Sequence, residues 1–326
     1  MGRKRSTDTS AGVAVGPEPT AKEPPESAGQ ARLRELRARH SRFHYEGFSR
    51  ELTEAAGETA LRVEYRFRLE PDIVFTPKLK IQGVDPARLA AIPSGQLDNL
   101  LFHIGMVETF SYWKAAAPAE IVVHAAVLND EQTAWWLDLL RRGMGEFFYV
   151  NKLDWRAPDF VSITNPASVR ERAAVAIPAA LPESRVPSPE PRDLVLASGG
   201  KDTVVTLELL REAGRPFDCM LLNPTKAALA VVAEAGKDNK GRHPIIVRRT
   251  IDAKLLELNQ QGYLNGHTPF SALLAFLATA VAALFGHGRV IVSNERSAEE
   301  PGVEYLGHPI NHQYRDRKST RLNSSH

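Results

Sequence analysis

The stretch Asp193-Leu-Val-Leu-Ala-Ser-Gly-Gly-Lys-Asp-Thr203 joins an apolar, strand-like run to a short polar loop that contains two adjacent glycines. A helix-like run at 204–213 follows the loop and is stopped by Gly214. Strand, glycine loop and helix in this order are typical of α/β proteins that hold phosphate groups, because backbone N–H groups at a helix N-terminus attract anions. Glycine also lets the backbone approach the anion without a Cβ in the way. The stretch therefore predicts an α/β fold with a phosphate-binding loop at residues 198–203.

Each residue of this loop has a predicted part in binding. Asp202 is expected to orient Mg²⁺ or to fix the loop. The other residues are expected to contact phosphate oxygens through backbone N–H groups, hydroxyls or an ammonium: Ser198, Gly199, Gly200, Lys201 and Thr203. The spacing is not that of a Walker loop or of a dinucleotide-binding G-x-G-x-x-G motif. A glycine turn that merely joins a strand to a helix is the alternative interpretation.

Length and composition limit the classes of protein to which the chain can belong. The chain has 326 residues, of which 43% are hydrophobic and 25% charged, and this length allows about two globular domains. A net charge of +2 gives no electrostatic reason to expect a nucleic-acid partner. The single cysteine, Cys219, excludes a disulfide within the chain and fits a reducing, cytoplasmic setting. The most apolar segment, 269–285, is shorter than the about 18–20 apolar residues that cross a bilayer, so it predicts a buried helix and no membrane span.

Changes in composition along the chain predict five segments. From residue 192 onward, strand-like and helix-like runs alternate, which predicts a doubly wound parallel sheet. Ligands of such sheets bind beyond the carboxyl ends of the strands. The predicted segments are a low-complexity, disordered N-terminus at 1–42, a smaller α+β domain at 43–155, a Pro-rich linker at 156–191, an α/β domain with the phosphate-binding loop at 192–314 and a tail at 315–326.

Periodicity predicts the individual elements. Apolar and charged residues alternate over 61–69, which indicates a half-buried strand, and the apolar stripe of 95–114 indicates a helix. We expect Thr268 to be the N-cap of the apolar helix, with Pro269 at its first position and Gly286 at its end. A basic helix is predicted at 31–42, a second amphipathic helix at 129–143, and further strands at 73–75, 79–81, 121–128, 217–223, 244–247 and 289–293.

Three other places carry residues capable of chemistry. His267 precedes the apolar helix and could serve as an acid or base near neutral pH, or it is simply a loop histidine beside a helix cap. Glu295 and Arg296 follow a strand and could bind Mg²⁺ and a carboxylate respectively, or form a solvated ion pair on a turn. His312 lies in a short run of hydrogen-bonding side chains that alone indicates little.

The loop resembles the Ser-Gly-Gly-x-Asp-Ser/Thr loop of the ATP pyrophosphatase superfamily, whose members cleave ATP between the α and β phosphates. Six further motifs lie on either side of this loop: Phe110-Ser-Tyr-Trp-Lys-Ala-Ala116, Gly143-Met-Gly-Glu-Phe147, Leu258-Asn-Gln-Gln-Gly262, Asn265-Gly-His267, Ser293-Asn-Glu-Arg-Ser-Ala298 and Asn311-His-Gln313. Together with the loop, their order resembles that of the UDP-N-acetylmuramoyl-L-alanyl-L-glutamate epimerase family over about residues 61–314.

The resemblance implies a reaction and a set of ligands. It implies that the terminal L-Glu of UDP-MurNAc-L-Ala-L-Glu, a small-molecule substrate, is inverted to D-Glu in wall synthesis. ATP and Mg²⁺ would be consumed, and AMP and diphosphate released. Because a free carboxylate makes its α-proton very hard to remove, we expect the carboxylate to be converted to an acyl-adenylate before a base acts.

The resemblance also implies roles for the residues outside the loop. His267 is the leading acid/base candidate and His312 the second. Glu295 and Arg296 are expected to face the reacting carboxylate, the metal or diphosphate, with Asp202 and Glu295 as the metal ligands. The run 112–114 either touches the substrate or belongs to a helix and the core.

Other interpretations stay open at this point. The family-like sequence stops near Tyr314, and the tail at 315–326 resembles translated adapter sequence, so we expect a truncated chain with an incomplete site. One alternative is another ATP pyrophosphatase, either tRNA-thiolating or amide-forming. Another is a nucleotide-binding remnant without catalysis. The oligomeric state, and whether one base or two invert the centre, do not follow from the sequence.

Overall fold

The structure, a computed structural model, describes residues 27–173, 192–236, 244–293 and 302–310. Within them the strands are β1 (Arg42–Ala55), β2 (Glu58–Leu69), β3 (Ile73–Phe75), β4 (Lys78–Gln82), β5 (Glu120–Val123), β6 (Ser162–Thr164), β7 (Asp193–Leu196), β8 (Phe217–Leu222), β9 (Ile245–Thr250), β10 (Arg289–Ile291), β11 (Val303–Tyr305) and β12 (His308–Ile310). The helices are α1 (Ala28–Arg39), α2 (Pro86–Ala91), α3 (Ser94–Trp113), α4 (Asp130–Gly143), α5 (Gly145–Val150), α6 (Ala167–Ala173), α7 (Lys201–Glu212), α8 (Lys226–Gly236), α9 (Ala253–Gln260) and α10 (Phe270–Phe285).

One mixed sheet of ten strands runs through the described residues. Its order is β10-β7-β8-β9-β4-β2-β1-β5-β6, and β3 pairs with β2. The four strands β10, β7, β8 and β9 are mutually parallel, whereas β4 is antiparallel to β9. The pairing of β4 with β9 joins strands from the predicted 43–155 and 192–314 domains into the same sheet.

Helices cover both faces of the parallel part of the sheet. Leu194 of β7 and Met220 of β8 belong to the large core that includes α10. Their neighbours Val195 and Cys219 belong to a smaller core with α7 and α8. Because successive side chains of a strand point to opposite faces, α10 lies on one face and α7 and α8 lie on the other. The predicted α/β fold is confirmed, and the complete sheet is mixed because the strands before residue 100 join it antiparallel.

The order of the parallel strands creates a switch point beside β7. The chain passes from β7 through α7 to β8 on one side, and it returns through α10 to β10 on the other side of β7. Strand order therefore reverses between β7 and β10, and ligands of open α/β sheets bind in the crevice at such a point. The loop 198–203 leaves β7 there, and Ser293 follows β10 at the same edge.

Most predicted elements are present, and α1, β2, α3, α4 and α10 lie within a few residues of their predicted bounds. The prediction of Thr268 as the N-cap of α10 is wrong. Pro269 occupies the N-cap position with ψ 69°, so the helix begins at Phe270. Gly286 ends α10 in the left-handed conformation with φ 78°, as predicted.

Two parts of the sheet were not predicted. Strand β1 carries a register shift between Tyr45 and Gly47, and its second half is largely exposed, so its sequence lacks a regular alternation. Strand β6 and helix α6 lie in the segment 156–191 that was predicted to be a linker, and β6 pairs in parallel with β5. The rest of that segment, 174–191, lies outside the described residues, as do residues 1–26 of the N-terminus that was predicted to be disordered at 1–42. Residues 28–39 of that N-terminus form α1 and are therefore ordered. No described helix has the length and apolar character needed to span a bilayer.

Candidate active site at the carboxyl edge of the sheet

The predicted phosphate-binding loop connects β7 directly to α7. Gly200 is the N-cap of α7, and among the described residues no side chain caps this helix end. The first N–H groups of an α-helix have no acceptor within the helix, so the start of α7 presents backbone donors at the switch point. Ser198 and Lys201 are exposed beside these donors, and Asp202 is half-buried in the first turn.

Gly199 is required by the shape of the loop. Its φ is +80°, and a Cβ at this position would lie 2.5 Å from the Cα of Ala228 in α8. Any larger residue would therefore push the loop away from α8, and most would also be strained in the left-handed region. The absence of a side chain keeps the loop backbone tight against the smaller core.

Thr203 fixes the loop from inside. Its side chain is 1% exposed, and its hydroxyl oxygen accepts the backbone N–H of Ser198 at 3.0 Å. The two hydroxyl oxygens of Ser198 and Thr203 are 3.4 Å apart. The hydroxyl of Thr203 therefore closes the loop on itself, whereas the hydroxyl of Ser198 lies at the surface.

The ends of the neighbouring strands are linked by side chains that the sequence analysis did not single out. Asn223, just after β8, accepts the backbone N–H of Arg249 at 2.9 Å and donates to the carbonyl oxygen of Arg249 at 2.8 Å. The guanidinium of Arg249 forms an ion pair with both carboxylate oxygens of Glu108 in α3 and donates to Ser111 at 3.2 Å. Glu108 is 3% exposed. The sequence signal that could have revealed this ion pair is a glutamate in the middle of an apolar helix, because a buried carboxylate needs a partner.

The loop before α10 is held by two side chains, with Lys114 bound to Gly266 and Glu146 bound to His267. Glu146 accepts the backbone N–H of His267 at 2.8 Å, and its Oε2 lies 2.5 Å from Nδ1 of the His267 ring. Lys114 follows α3, and its Nζ donates to the carbonyl oxygen of Gly266 at 2.6 Å. Burial, and secondarily the charge of Arg249, lower the pKa of Lys114 to about 8, while Glu146 acts in the opposite direction.

The alternatives left open for the run 112–114 are now separated. Tyr112 and Trp113 are completely buried and belong to the large core. The hydroxyl of Tyr112 accepts the N–H of Asp252, and burial raises the pKa of Tyr112. Lys114 alone of the three is half-buried and reaches the carboxyl edge.

Several predicted site residues fall outside the described part of the chain. These are Glu295, Arg296 and His312, for which binding and catalysis stay predictions. Within the described residues, no group of three or more His, Cys, Asp and Glu side chains is arranged to hold a metal ion.

The single cysteine, Cys219, is buried in β8, and burial raises its pKa to about 12, so it is unsuited to act as a nucleophile.

The fold and the loop together define an α/β protein with a candidate ligand site at the switch point of its parallel strands. The family described as the MurL N-terminal domain matches residues 35–324, and the chain belongs to this family. The match extends into the tail at 315–326, which lies outside the described residues, so the prediction of a non-native tail stays a prediction. No solved structure matches the chain significantly.

Three curated relatives carry the name UDP-N-acetyl-alpha-D-muramoyl-L-alanyl-L-glutamate epimerase. The protein of Micromonospora sp. is 35% identical over 67% of this chain and 45% of its own length. That of Salinispora tropica is 34% identical over 67% of the chain and 44% of its own length. That of Xanthomonas oryzae pv. oryzae is 30% identical over 75% of the chain and 50% of its own length. The chain thus spans about half the length of the curated relatives it matches.

Proposed function

We propose that this protein takes part in peptidoglycan precursor synthesis as an isomerase that inverts the terminal L-Glu of UDP-MurNAc-L-Ala-L-Glu to D-Glu, with consumption of ATP and Mg²⁺. The observation that carries the proposal is the uncapped start of α7 behind the loop 198–203, at the switch point of the sheet. The proposed substrate is taken from the name that the three relatives carry. The expected setting is the cytoplasm, and the expected partner is this nucleotide-sugar peptide rather than a nucleic acid or a membrane.

The residues of the loop fit a polyphosphate. Backbone N–H groups at a helix N-terminus attract anions, and Lys201 adds a positive charge beside them. Ser198 supplies an exposed hydroxyl, and Gly199 and Thr203 maintain the shape of the loop. Asp202 in the first turn would share Mg²⁺ with Glu295, since carboxylate oxygens are the ligands that Mg²⁺ prefers.

The proposed reaction begins with activation of the substrate carboxylate. A carboxylate oxygen attacks the α-phosphorus of ATP, the bond between that phosphorus and the bridging oxygen breaks, and diphosphate leaves. The resulting acyl-adenylate carries no negative charge on its carbonyl group, so the adjacent Cα–H becomes acidic enough for a side-chain base. After the proton has been returned on the other face, water cleaves the mixed anhydride to release AMP and the D-glutamyl product.

His267 is the proposed acid/base residue among the described candidates. Its side chain is 52% exposed, so substrate can reach it, and Glu146 accepts from its Nδ1 side. When the proton of the neutral ring is on Nδ1 and is donated to Glu146, Nε2 is the basic nitrogen. His312 is the second candidate, and Arg296 is proposed to hold the reacting carboxylate.

The direct test is incubation of the purified chain with ATP, Mg²⁺ and UDP-MurNAc-L-Ala-L-Glu, followed by chiral analysis of the glutamate and assay of AMP. D-Glu formed together with AMP would support the proposal. A substrate labelled with ¹⁸O in the reacting carboxylate should transfer one label to AMP if an acyl-adenylate forms. The Xanthomonas oryzae relative, assayed in parallel, is the control: conversion by the relative without conversion by this chain would restrict the activity to the longer protein.

A further inference from the structure

Three basic residues lie side by side on neighbouring strands of the sheet. Lys80 of β4 is the register partner of Arg248 in β9 on one side and of Arg62 in β2 on the other. The neighbours of Lys80 along β4, Leu79 and Ile81, belong to the large core, so Lys80 points to the opposite face. We call Arg248, Lys80 and Arg62 the cation row. The row is accessible to solvent, since Arg62 and Arg248 are exposed and Lys80 is half-buried.

The cation row differs from the other basic residues of the sheet in having no ion-pair partner among the described residues. Glu51 of β1 is the register partner of Arg62 on its other side, but the two do not form an ion pair. Each remaining lysine or arginine of the ten-stranded sheet is paired with a carboxylate: Arg42 with Glu120, Arg50 with Asp98, Arg66 and Arg68 with Glu46, Lys78 with Glu64, Arg249 with Glu108 and Arg289 with Asp193.

Strand pairing alone does not account for the cation row. Like charges that face each other on adjacent strands repel and destabilise a sheet. Two residues further along the same two strands, Lys78 faces Glu64, and its Nζ lies 3.1 Å from the carboxylate. An acidic residue at position 80 would neutralise Arg248 and Arg62 in a similar way. A bound anion would supply the negative charge that the row lacks.

The cation row lies on the face of the sheet that carries α7. Leu221 of β8 belongs to the smaller core with α7 and α8, and its register partner in β9 is Ile246. Arg248 follows Ile246 by two residues and therefore lies on the same face. It is also two residues before the end of β9 at Thr250, so the row lies close to the carboxyl edge.

We propose that the cation row binds the diphosphate of the UDP-MurNAc-L-Ala-L-Glu substrate, while the loop 198–203 holds the phosphates of ATP. This inference rests on the proposed function, since it names the place of the UDP end of that substrate. One strand lies between β9 and β7, which ends in the loop, so the two are about 10 Å apart. An extended dipeptide spans about 7 Å, so the dipeptide and the sugar together can connect the two places.

The chemistry of the cation row fits a diphosphate. Side chains of directly opposed residues begin about 5 Å apart, so two neighbouring cations can converge on one phosphate group while the third reaches the next. Guanidinium groups bind phosphate oxygens through two parallel hydrogen bonds, and the lysine adds a point charge. The negative charge on each phosphate would offset the repulsion within the row.

The test measures UDP binding by titration calorimetry at low ionic strength, where charge interactions are least screened. A saturating ATP analogue that cannot be cleaved between the α and β phosphates keeps the loop 198–203 occupied. Lys80→Gln, Arg62→Gln and a triple variant with glutamine at all three positions of the row are compared with the wild type.

Arg66→Gln is the matched control. Arg66 is an exposed arginine of β2 on the same face as Arg62, but it is paired with Glu46. Its replacement also removes one positive charge, so a general effect of net charge on UDP binding would appear equally in the control and in Arg62→Gln.

Each single replacement in the row should weaken UDP binding about 2- to 5-fold, as for an exposed charge pair, and the triple variant about 10- to 100-fold. Without ligand, Lys80→Gln should be at least as stable in urea as the wild type, because it relieves repulsion between strands. Equal UDP affinity in the triple variant and in Arg66→Gln would overturn the proposal. A wild-type chain that binds phosphatidylglycerol vesicles or a single-stranded oligonucleotide but not UDP would overturn it as well.

Kinetics separate this inference from the proposed function. With the UDP-linked substrate, the triple variant should raise KM about 10- to 100-fold and leave kcat nearly unchanged. With MurNAc-L-Ala-L-Glu, which lacks UDP, the triple variant should match the wild type. An unchanged KM for the UDP-linked substrate would remove only the role of the row. A wild-type chain that forms neither D-Glu nor AMP, but whose UDP binding is lost in the triple variant, would remove the proposed function and leave the row as a diphosphate site.

Discussion

Gly199 and Ala228 are in direct contact where the loop after β7 meets helix α8, and the gap between them has no room for a methyl group. A Cβ at position 199 would lie 2.5 Å from the Cα of Ala228 and 2.8 Å from its Cβ. The loop that is proposed to bind phosphates is therefore held in place by the core beneath it. This contact gives the first prediction.

Replacement of Gly199 by alanine should abolish ATP binding. The new methyl group would displace the loop from α8, and the residue would also be strained at φ +80°. Titration calorimetry with ATP and Mg²⁺, together with the melting temperature, would measure both effects.

Gly214→Ala is the matched control for this variant. Gly214 lies just beyond the end of α7 with φ +62°, and no neighbouring atom of the described residues lies within 4 Å of the position that a Cβ would take. The control should lose about 1–2 kcal/mol of stability and bind ATP normally. Equal ATP affinity in both variants would contradict the prediction.

Replacement of Thr203 by valine should weaken ATP binding without unfolding the protein. Valine has the shape of threonine but cannot accept the Ser198 N–H, which is bonded at 3.0 Å in the structure. Loss of this acceptor costs about 1–3 kcal/mol, which corresponds to a roughly 5- to 150-fold weaker apparent affinity if the loop is no longer closed. Thr203→Ser retains the hydroxyl and should bind like the wild type. An ATP affinity of Thr203→Val that matches Thr203→Ser would show that this hydrogen bond is not needed.

Replacement of Glu108 by alanine should destabilise the fold strongly. Glu108 is 3% exposed and pairs with Arg249, so its removal leaves a buried guanidinium without its carboxylate. Breaking a buried pair in this way costs about 3–5 kcal/mol, which urea unfolding would detect. Glu257→Ala is the control, since Glu257 pairs with Lys254 at the surface and its loss should leave the free energy of unfolding almost unchanged. Similar losses in the two variants would contradict the assignment of the Glu108–Arg249 pair as buried.

The stability of the protein should fall in mild acid because of His103. This ring stacks on Trp136 and Phe276, and burial lowers its pKa from 6.5 to about 4. Between these two values the unfolded chain binds a proton that the folded chain does not, so the free energy of unfolding decreases as pH falls from 6.5 towards 4. Urea unfolding over this range should show a smaller decrease for His103→Phe, which keeps the aromatic stack. An identical pH dependence in the variant would exclude His103 as the cause.

The local features of the candidate site could be predicted because their signals are local. The glycine loop, its flanking strand and helix, and His267 before an apolar helix each follow from a few adjacent residues. The partners of His267 could not be predicted in the same way. Glu146 is 121 residues away from His267, and Lys114 is 152 residues away from Gly266. Only the packing of α3 and α5 against the loop before α10 brings them together.

The same distinction applies to the fold. The periodicity of apolar residues in the sequence determined most strands and helices, since it reflects which face of each element is buried. The alternation of strand-like and helix-like runs after residue 192 determined the parallel arrangement of β7, β8 and β9. Tertiary structure alone decided that β4 pairs with β9, so that both predicted domains share a sheet, and that Arg249 at the end of β9 reaches Glu108 in α3. Backbone pairing between distant strands depends on hydrogen bonds that every residue type except proline can make. The residue types of a strand therefore do not identify the strand it pairs with.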